Sequence, residues 1–484
     1  MQIKQRIGAT PPARFERLPA IGVVLGPAPE ALASAPHGEA LRKLAAKADV
    51  DTVRAFDQPD GRLALIRPRP DGPAFDWLTA GRKLAGALLE DDPKEIALAV
   101  LGFDTHAKAV AEAALAALLA GAHRLPSFKA KAPKPRRLTT VHLWGPDEVV
   151  DTARLLAEAE GNALARDLTA LPANHLTPAI YRERIATLAH AEGWEMRFLG
   201  VQALRRMGAG AFLAVAQGST EQDAGIVHLR YAPTRGMRKS ALALVGKGIC
   251  FDTGGVNLKA ARHMHGMHQD MAGSAVALGA LLALSRLKVG FPVDCWLALA
   301  QNPIGPAAYK QGDVVTAANG TTIEVVHTDA EGRMVLADAL ALASGRKPGL
   351  LVDYATLTGS MITALGTAYS GALTNREDLL PTLIAAGRDS GERVWPFPCD
   401  QDFDAQLESD IADVKQCTLE SDADHILAAR FLGRFVAPGV PWVHLDLASA
   451  ANKGGLAHVP TDITGFGVRY SLSLLLDHHA MELP

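Results

Sequence analysis

Two patterns alternate along the chain, short unbroken apolar runs and longer stretches with helical period, and the alternation predicts an α/β protein. In the first 145 residues IGVVLG and IALAVLGF read as strands and AKAVAEAALAALLAG as a helix. From Asp147 to Leu171 the segment DEVVDTARLLAEAEGNALARDLTAL reads as one long helix, closed by Pro172 and the LTP turn that follows. Beyond it AFLAVAQ, GIVHLRYA, SALALVGKG, VDCWLALAQ and GLLVDYATL read as strands, interleaved with the helices SAVALGALLALSRL and MVLADALALAS. Strands that are apolar throughout belong to sheets covered on both faces, so a mainly parallel central sheet is expected. The expected organisation is a small N-terminal α/β domain over residues 1–146, a linking helix over 147–171 and a larger C-terminal α/β domain over 172–484.

Composition narrows this picture. A chain of 484 residues with 48% hydrophobic content exceeds what one core serves, which supports two domains. Its 49 basic and 52 acidic residues leave a net charge of −3, which argues against broad binding to nucleic acid or an anionic membrane. One basic run, FKAKAPKPRRL, reads as an extended solvated loop, with a nucleic-acid or partner contact as the alternative. Cys250, Cys295, Cys399 and Cys417 form no C-x-x-C pair and read as free thiols of a cytoplasmic protein. The longest apolar run, near AALAALLAGA, is too short to span a membrane. The N-terminal segment has no apolar signal region, and Pro11 and Pro12 interrupt any amphipathic transit helix.

Candidate chemistry gathers in the C-terminal half. In VGKGICFDTGGVNLK an apolar strand runs into a Gly-Gly turn, placing Lys247, Asp252 and Lys259 where open α/β sheets keep their sites. Asp270 follows just before a helix, and IEVVHTDAEGRMVLADAL adds Asp329, Glu331 and Arg333. If that segment is extended, those three side chains share one face, and the small Ala330 and Gly332 between them let other groups approach. Taken singly, the acids read as surface residues or helix caps. Taken together, Asp252, Asp270, Asp329 and Glu331 would need two divalent cations to offset their buried charge, leaving Lys259 and Arg333 to hold anions formed in a reaction.

This set resembles the leucine aminopeptidase family of two-metal metallopeptidases. The likeness rests on VGKGICFDTGGVNLK, HQDMAGSAVALGAL, HTDAEGRMVLADAL and VDYATLTGSMITALG, with LPANHLTP, WVHLDLAS and ITGFGVR in support. It covers about residues 165 to 470 and is faint before residue 145. The resemblance implies metal ligands at Lys247, Asp252, Asp270, Asp329 and Glu331, with Lys259 and Arg333 as the catalytic pair. It further implies two divalent metals, zinc or manganese with magnesium or cobalt as options, which activate a water. Lys259 would stabilise the oxyanion and Arg333 would hold a bicarbonate as base. Backbone groups at Leu357 and Gly359 would orient a peptide with a free N-terminus, whose first residue, leucine or another apolar one, meets Met267; a core methionine is the alternative reading of Met267. A homohexamer is implied as well.

Departures from the family pattern are His327, His268 and the segment DADHILAARFL, where a Gly-rich helix start is usual. His263, His265 and His268 resemble a metal cluster by themselves but fall in the loop that leads to Asp270. Competing functions are a two-metal phosphoesterase and a DNA-associated regulator on the same scaffold. No nucleotide loop competes, since GKG at Gly246 lacks the phosphate-loop spacing.

Overall fold

Contacts divide the chain into a first unit of Met1–Ala159, Arg388–Glu392 and Asn452–Thr464, and a second of Glu160–Gly387, Arg393–Ala451 and Gly465–Pro484. The computed structural model describes residues 1–7, 11, 13–59, 61–234, 237, 239–420 and 422–482, so Pro12 lies outside the described residues. The boundary falls inside the helix Thr152–Ala170, which starts at Thr152 rather than Asp147. Asp151 sets that start, because its Oδ1 accepts from the amide of Arg154 at 2.9 Å, as an N-cap does.

The first unit is a six-stranded sheet in the order Gln2–Arg6, Thr140–Trp144, Glu95–Leu101, Ala20–Leu25, Gly61–Ile66 and Val53–Gln58. All neighbours are parallel except the last pair. Helices Ala74–Leu88 and Ala107–Ala122 bury their apolar sides in one core against it.

In the second unit eight strands run in the order Val394–Pro396, Ser370–Thr374, Trp442–Asp446, Leu350–Ala355, Leu242–Asp252, Val293–Asn302, Gly225–Tyr231 and Glu195–Gly200. The four central strands are mutually parallel, and antiparallel pairings enter only on either side of them. AFLAVAQ, read above as a strand, is instead the helix Gly210–Ala216. Its apolar run is too short to show a period. Tertiary contacts decide it, since the orphan amide of Phe212 in the first turn donates to Asp338 at 2.7 Å.

Leu242–Asp252 is the strand on which the site is built, and its side chains alternate between faces. A Cβ on Gly246 would stand 2.4 Å from the Cα of Ser274 in the buried helix Ala272–Arg286. On the opposite face Lys247 lies against Gly332 of the helix Glu331–Ser344. All four cysteines are free thiols. Among the described residues no helix is long and apolar enough to cross a membrane.

Candidate metal centre

Asp252 sits at the carboxyl end of a central strand and Lys259 in the turn beyond it, the usual place for a site in an open α/β sheet, while Asp270, Asp329 and Glu331 come from segments that lead into helices. Asp252 ends its strand, where Asn302 of the neighbouring strand and the amide of Gly254 both donate to its Oδ1 at 2.8 Å. The chain then turns through Gly254 at φ +85°, a left-handed conformation that suits glycine. Any Cβ there would also stand 2.8 Å from Asp329 Oδ1. Asp270 stands two residues ahead of the helix Ala272–Arg286, and Glu331 opens the helix Glu331–Ser344.

That last helix corrects one expectation. Asp329, Glu331 and Arg333 do not share the face of an extended segment, because the helix begins at Glu331. Residues two apart on a helix diverge by about 200°. Glu331 therefore turns to Lys247, at 3.0 Å, while Arg333 turns to Gln416 and Asp424. Asp329, ahead of the helix, faces Lys259. Gly332 is small for the reason anticipated, since a Cβ on it would stand 2.6 Å from both Cε and Nζ of Lys247.

The charges interlock. Lys247 Nζ donates to Asp270 Oδ1 at 2.8 Å and to the carbonyl of Thr356 at 3.0 Å. Lys259 Nζ contacts Asp252 Oδ2 at 2.9 Å and Asp329 Oδ1 at 2.5 Å. Oxygens of Asp252, Asp329 and Glu331 all lie within 4.8 Å of one another, the one such set of three potential ligand side chains among the described residues. Burial, together with the charge of Asp252, pushes the carboxyl groups of Asp270, Asp329 and Glu331 above their usual range. Burial lowers the pKa of Lys247, yet Asp270, Glu331 and Asp252 outweigh it and hold the ammonium above its usual range.

These residues fit divalent cations. Asp270 Oδ2 and Glu331 Oε2 are buried with no hydrogen-bond partner, and Asp329 Oδ1 has only the charge of Lys259, without hydrogen-bond geometry. Buried anionic oxygens left without donors are costly, and a cation among them removes the cost. If Asp270 and Glu331 turned to a cation, their hold on the Lys247 proton would weaken, and its amine would be a candidate nitrogen ligand.

Several residues that the sequence did not mark hold this arrangement. Thr328, fully buried, donates to the carbonyl of Gly254 at 2.6 Å and accepts from the amide of Asn257 at 2.8 Å. Its carbonyl receives Asn302 and Tyr309. One side chain thus ties the turn after Asp252 to the turn before Glu331. Gln416, also buried, accepts from the amides of Val326 and His327 and donates to the carbonyl of Ala330. Asp446 binds the Leu357 amide at 3.0 Å and the Thr358 hydroxyl at 2.6 Å. Thr328 and Asp446 lie within motifs already quoted, but nothing local separates them from their neighbours.

The remaining candidates lie around this core. Met267 starts a short turn ahead of Asp270 and is half-buried, and Gly359 is exposed at the start of the helix Gly359–Leu365. His263 and His265 are exposed, and no three of the loop's histidines and nearby acids converge as a ligand set among the described residues. Arg333, expected to carry a bicarbonate, is buried and paired with Asp424 at 2.7 Å, with its Nη1 on the carbonyl of Gln416 at 3.2 Å.

Residues 163–472 match the catalytic domain of the cytosol aminopeptidase family. A probable cytosol aminopeptidase of Rickettsia canadensis is 38% identical over 325 residues, which take in 66% of this chain and 64% of that protein's length. Among solved structures, a bottromycin maturation enzyme in complex with Mn superposes with a TM-score of 0.84 at 33% identity, covering 96% of this chain and 100% of its own. A tomato leucine aminopeptidase variant gives 0.85 at 27% identity, covering 99% and 96%.

Proposed function

The chain belongs to the cytosol aminopeptidase family, and from that premise we propose that it is a cytoplasmic metallo-aminopeptidase, removing N-terminal leucine or other apolar residues from peptides. The observation that carries this reading is the set of three carboxylates with oxygens within 4.8 Å, flanked by Lys247 and Lys259. Two divalent ions would be held by Asp252 and Glu331 in common, by Asp329 on one side, and by Lys247 with Asp270 on the other. Zinc or manganese suits this mixed oxygen and nitrogen set, and the Mn in the bottromycin enzyme supports manganese. When bound, such ions acidify a water and polarise a carbonyl.

The chain's own groups do the rest. Lys259, only 14% exposed and beside Asp252 and Asp329, supplies positive charge where the carbonyl oxygen of a substrate becomes an oxyanion. Arg333 is the second fixed cation, turned away from Glu331 by the helix that carries both. The Leu357 amide is already committed to Asp446, so the Leu357 carbonyl is the group that would orient a peptide there. Met267 would line the pocket for the first side chain, beside exposed Gly359, which leaves room for it. By family likeness the assembly is a homohexamer, which light scattering tests.

The deciding experiment compares leucine amide with N-acetyl-leucine amide after loading with Mn²⁺ or Zn²⁺. Hydrolysis confined to the free amine is expected. Equal cleavage of the blocked substrate, or none of either, would refute the reading.

A further inference from the structure

Arg333 is a buried cation two residues beyond Glu331, and its charge is met from within the chain. Asp424 Oδ1 accepts from Nη2 at 2.7 Å, and the Gln416 carbonyl accepts from Nη1 at 3.2 Å. Nε is buried without a partner. A free bicarbonate on that edge would be a second anion beside Asp424 on a single guanidinium, and like charges so close oppose each other.

Bonds independent of Arg333 fix where Asp424 stands. It is the first residue of the helix Asp424–Gly433. The residue before it, Ala423, is held in the left-handed region at φ 51°, unusual for a residue with a Cβ. The Ala423 carbonyl receives the amides of Ile426 at 2.8 Å and Leu427 at 3.0 Å. The amide of His425 donates to Ser360 Oγ at 2.9 Å, and the same hydroxyl meets His425 Nδ1 at 3.0 Å. A surface ion pair made by chance would not be pinned on both sides in this way. The Asp424 side chain keeps 23% of its surface accessible, and its Oδ2 accepts from no described residue.

We propose that Asp424 is the resident anion of Arg333, standing where family likeness puts a free bicarbonate, so that this protein works without added bicarbonate. Asp424 here takes the part of the family's bicarbonate, and Arg333 is the residue that positions it. The inference rests on the aminopeptidase reading for its activity arm alone.

The test uses the metal-loaded full chain in carbon-dioxide-depleted buffer, titrated with sodium bicarbonate against sodium chloride at equal ionic strength. For the wild type, neither the thermal midpoint nor leucine amide turnover should change. Asp424→Gly, which frees the guanidinium, should lose roughly 100-fold or more in kcat. It should recover much of that loss, and gain several degrees in midpoint, as bicarbonate is added. Saturable stimulation or stabilisation of the wild type by bicarbonate would overturn the proposal, as would a glycine variant indifferent to bicarbonate. If the glycine variant does not fold, the wild-type titration and Asp424→Asn decide: lost kcat at unchanged KM supports the inference, and unchanged kcat overturns it. Should the wild type cleave no free-amine amide at all, the aminopeptidase reading falls, while the midpoint titration still judges the role of Asp424.

Discussion

Lys247 lies over the bare Cα of Gly332, so that a methyl group on that glycine would stand 2.6 Å from the lysine's Nζ. Gly332→Ala must therefore displace Lys247, since the helix backbone beneath cannot retreat without unpacking. The expected outcome is a chain that folds but retains one metal fewer and turns over roughly 100-fold more slowly. Metal content by mass spectrometry, beside circular dichroism, checks it. Full metal content with a normal rate would show that Lys247 has no part in holding the ions.

Lys259 and the metal ligands should separate cleanly. Lys259→Ala removes a positive charge from beside Asp252 and Asp329 and so leaves the cluster more negative. It should keep both metals while losing roughly 100-fold in kcat, the scale of one oxyanion donor. A variant that lost metal instead would mark Lys259 as a structural counter-ion.

The two ions should not be equivalent. The side with Lys247 offers nitrogen, which favours Zn²⁺, Co²⁺ or Mn²⁺, whereas the Asp329 side offers oxygen alone and accepts Mg²⁺. Lys247→Ala should cost the ion that resists dialysis against Mg²⁺, and Asp329→Ala the one that exchanges. Equal retention in both variants would count against the assignment.

Away from the site, Asp294 provides a pH marker. It lies fully buried between His228 and Arg230, each at 2.6 Å. Burial would raise its pKa, but the hydrogen bonds from His228, Ser240 and Arg230 prevail and bring it down to about 2. With the folded value depressed, the unfolded chain takes up this proton first. The stabilisation is complete above about pH 4, is lost as pH falls through about 2, and is worth roughly 2 kcal/mol. Thermal midpoints measured from pH 5 to pH 2 should fall more steeply for the wild type than for Asp294→Asn. Parallel curves would refute it.

Thr328→Val keeps shape and removes the hydroxyl shared by Gly254 and Asn257. Leaving those backbone groups unpaired should cost about 1–3 kcal/mol. Because the two turns carry Asp252 and Asp329, metal affinity should drop along with the midpoint. A variant with unchanged metal affinity would show that Thr328 does not link them.

The sequence exposed what is local and hid what is brought together only by folding. The strand into Asp252, its Gly-Gly turn and Asp270 ahead of a helix are contiguous signals, and the small size of Gly332 pointed to a close approach. The helix start at Glu331 was concealed because the helical period of apolar residues begins only at Met334, after an apolar IEVV that favours extension. Gln416 gave no signal, since its partner lies 83 residues away, and Asp424 stood out only as part of a departure from the family's helix start, with its partner 91 residues away. A glutamine and an aspartate in a polar stretch look the same whether they brace an active arginine or face water.

The order of strands in the second unit also governs when activity can arise during synthesis. Leu350–Ala355 is held between Leu242–Asp252 and Trp442–Asp446, so the strand beside the site gains its second neighbour only from the last tenth of the chain. Contacts of such long sequence separation form late. A ribosome-bound or prematurely terminated polypeptide ending before Trp442 carries every expected metal ligand and still lacks the frame that sets them at working distance. Metal binding and turnover are therefore expected only after the strand Trp442–Asp446 has been made and has paired with Leu350–Ala355.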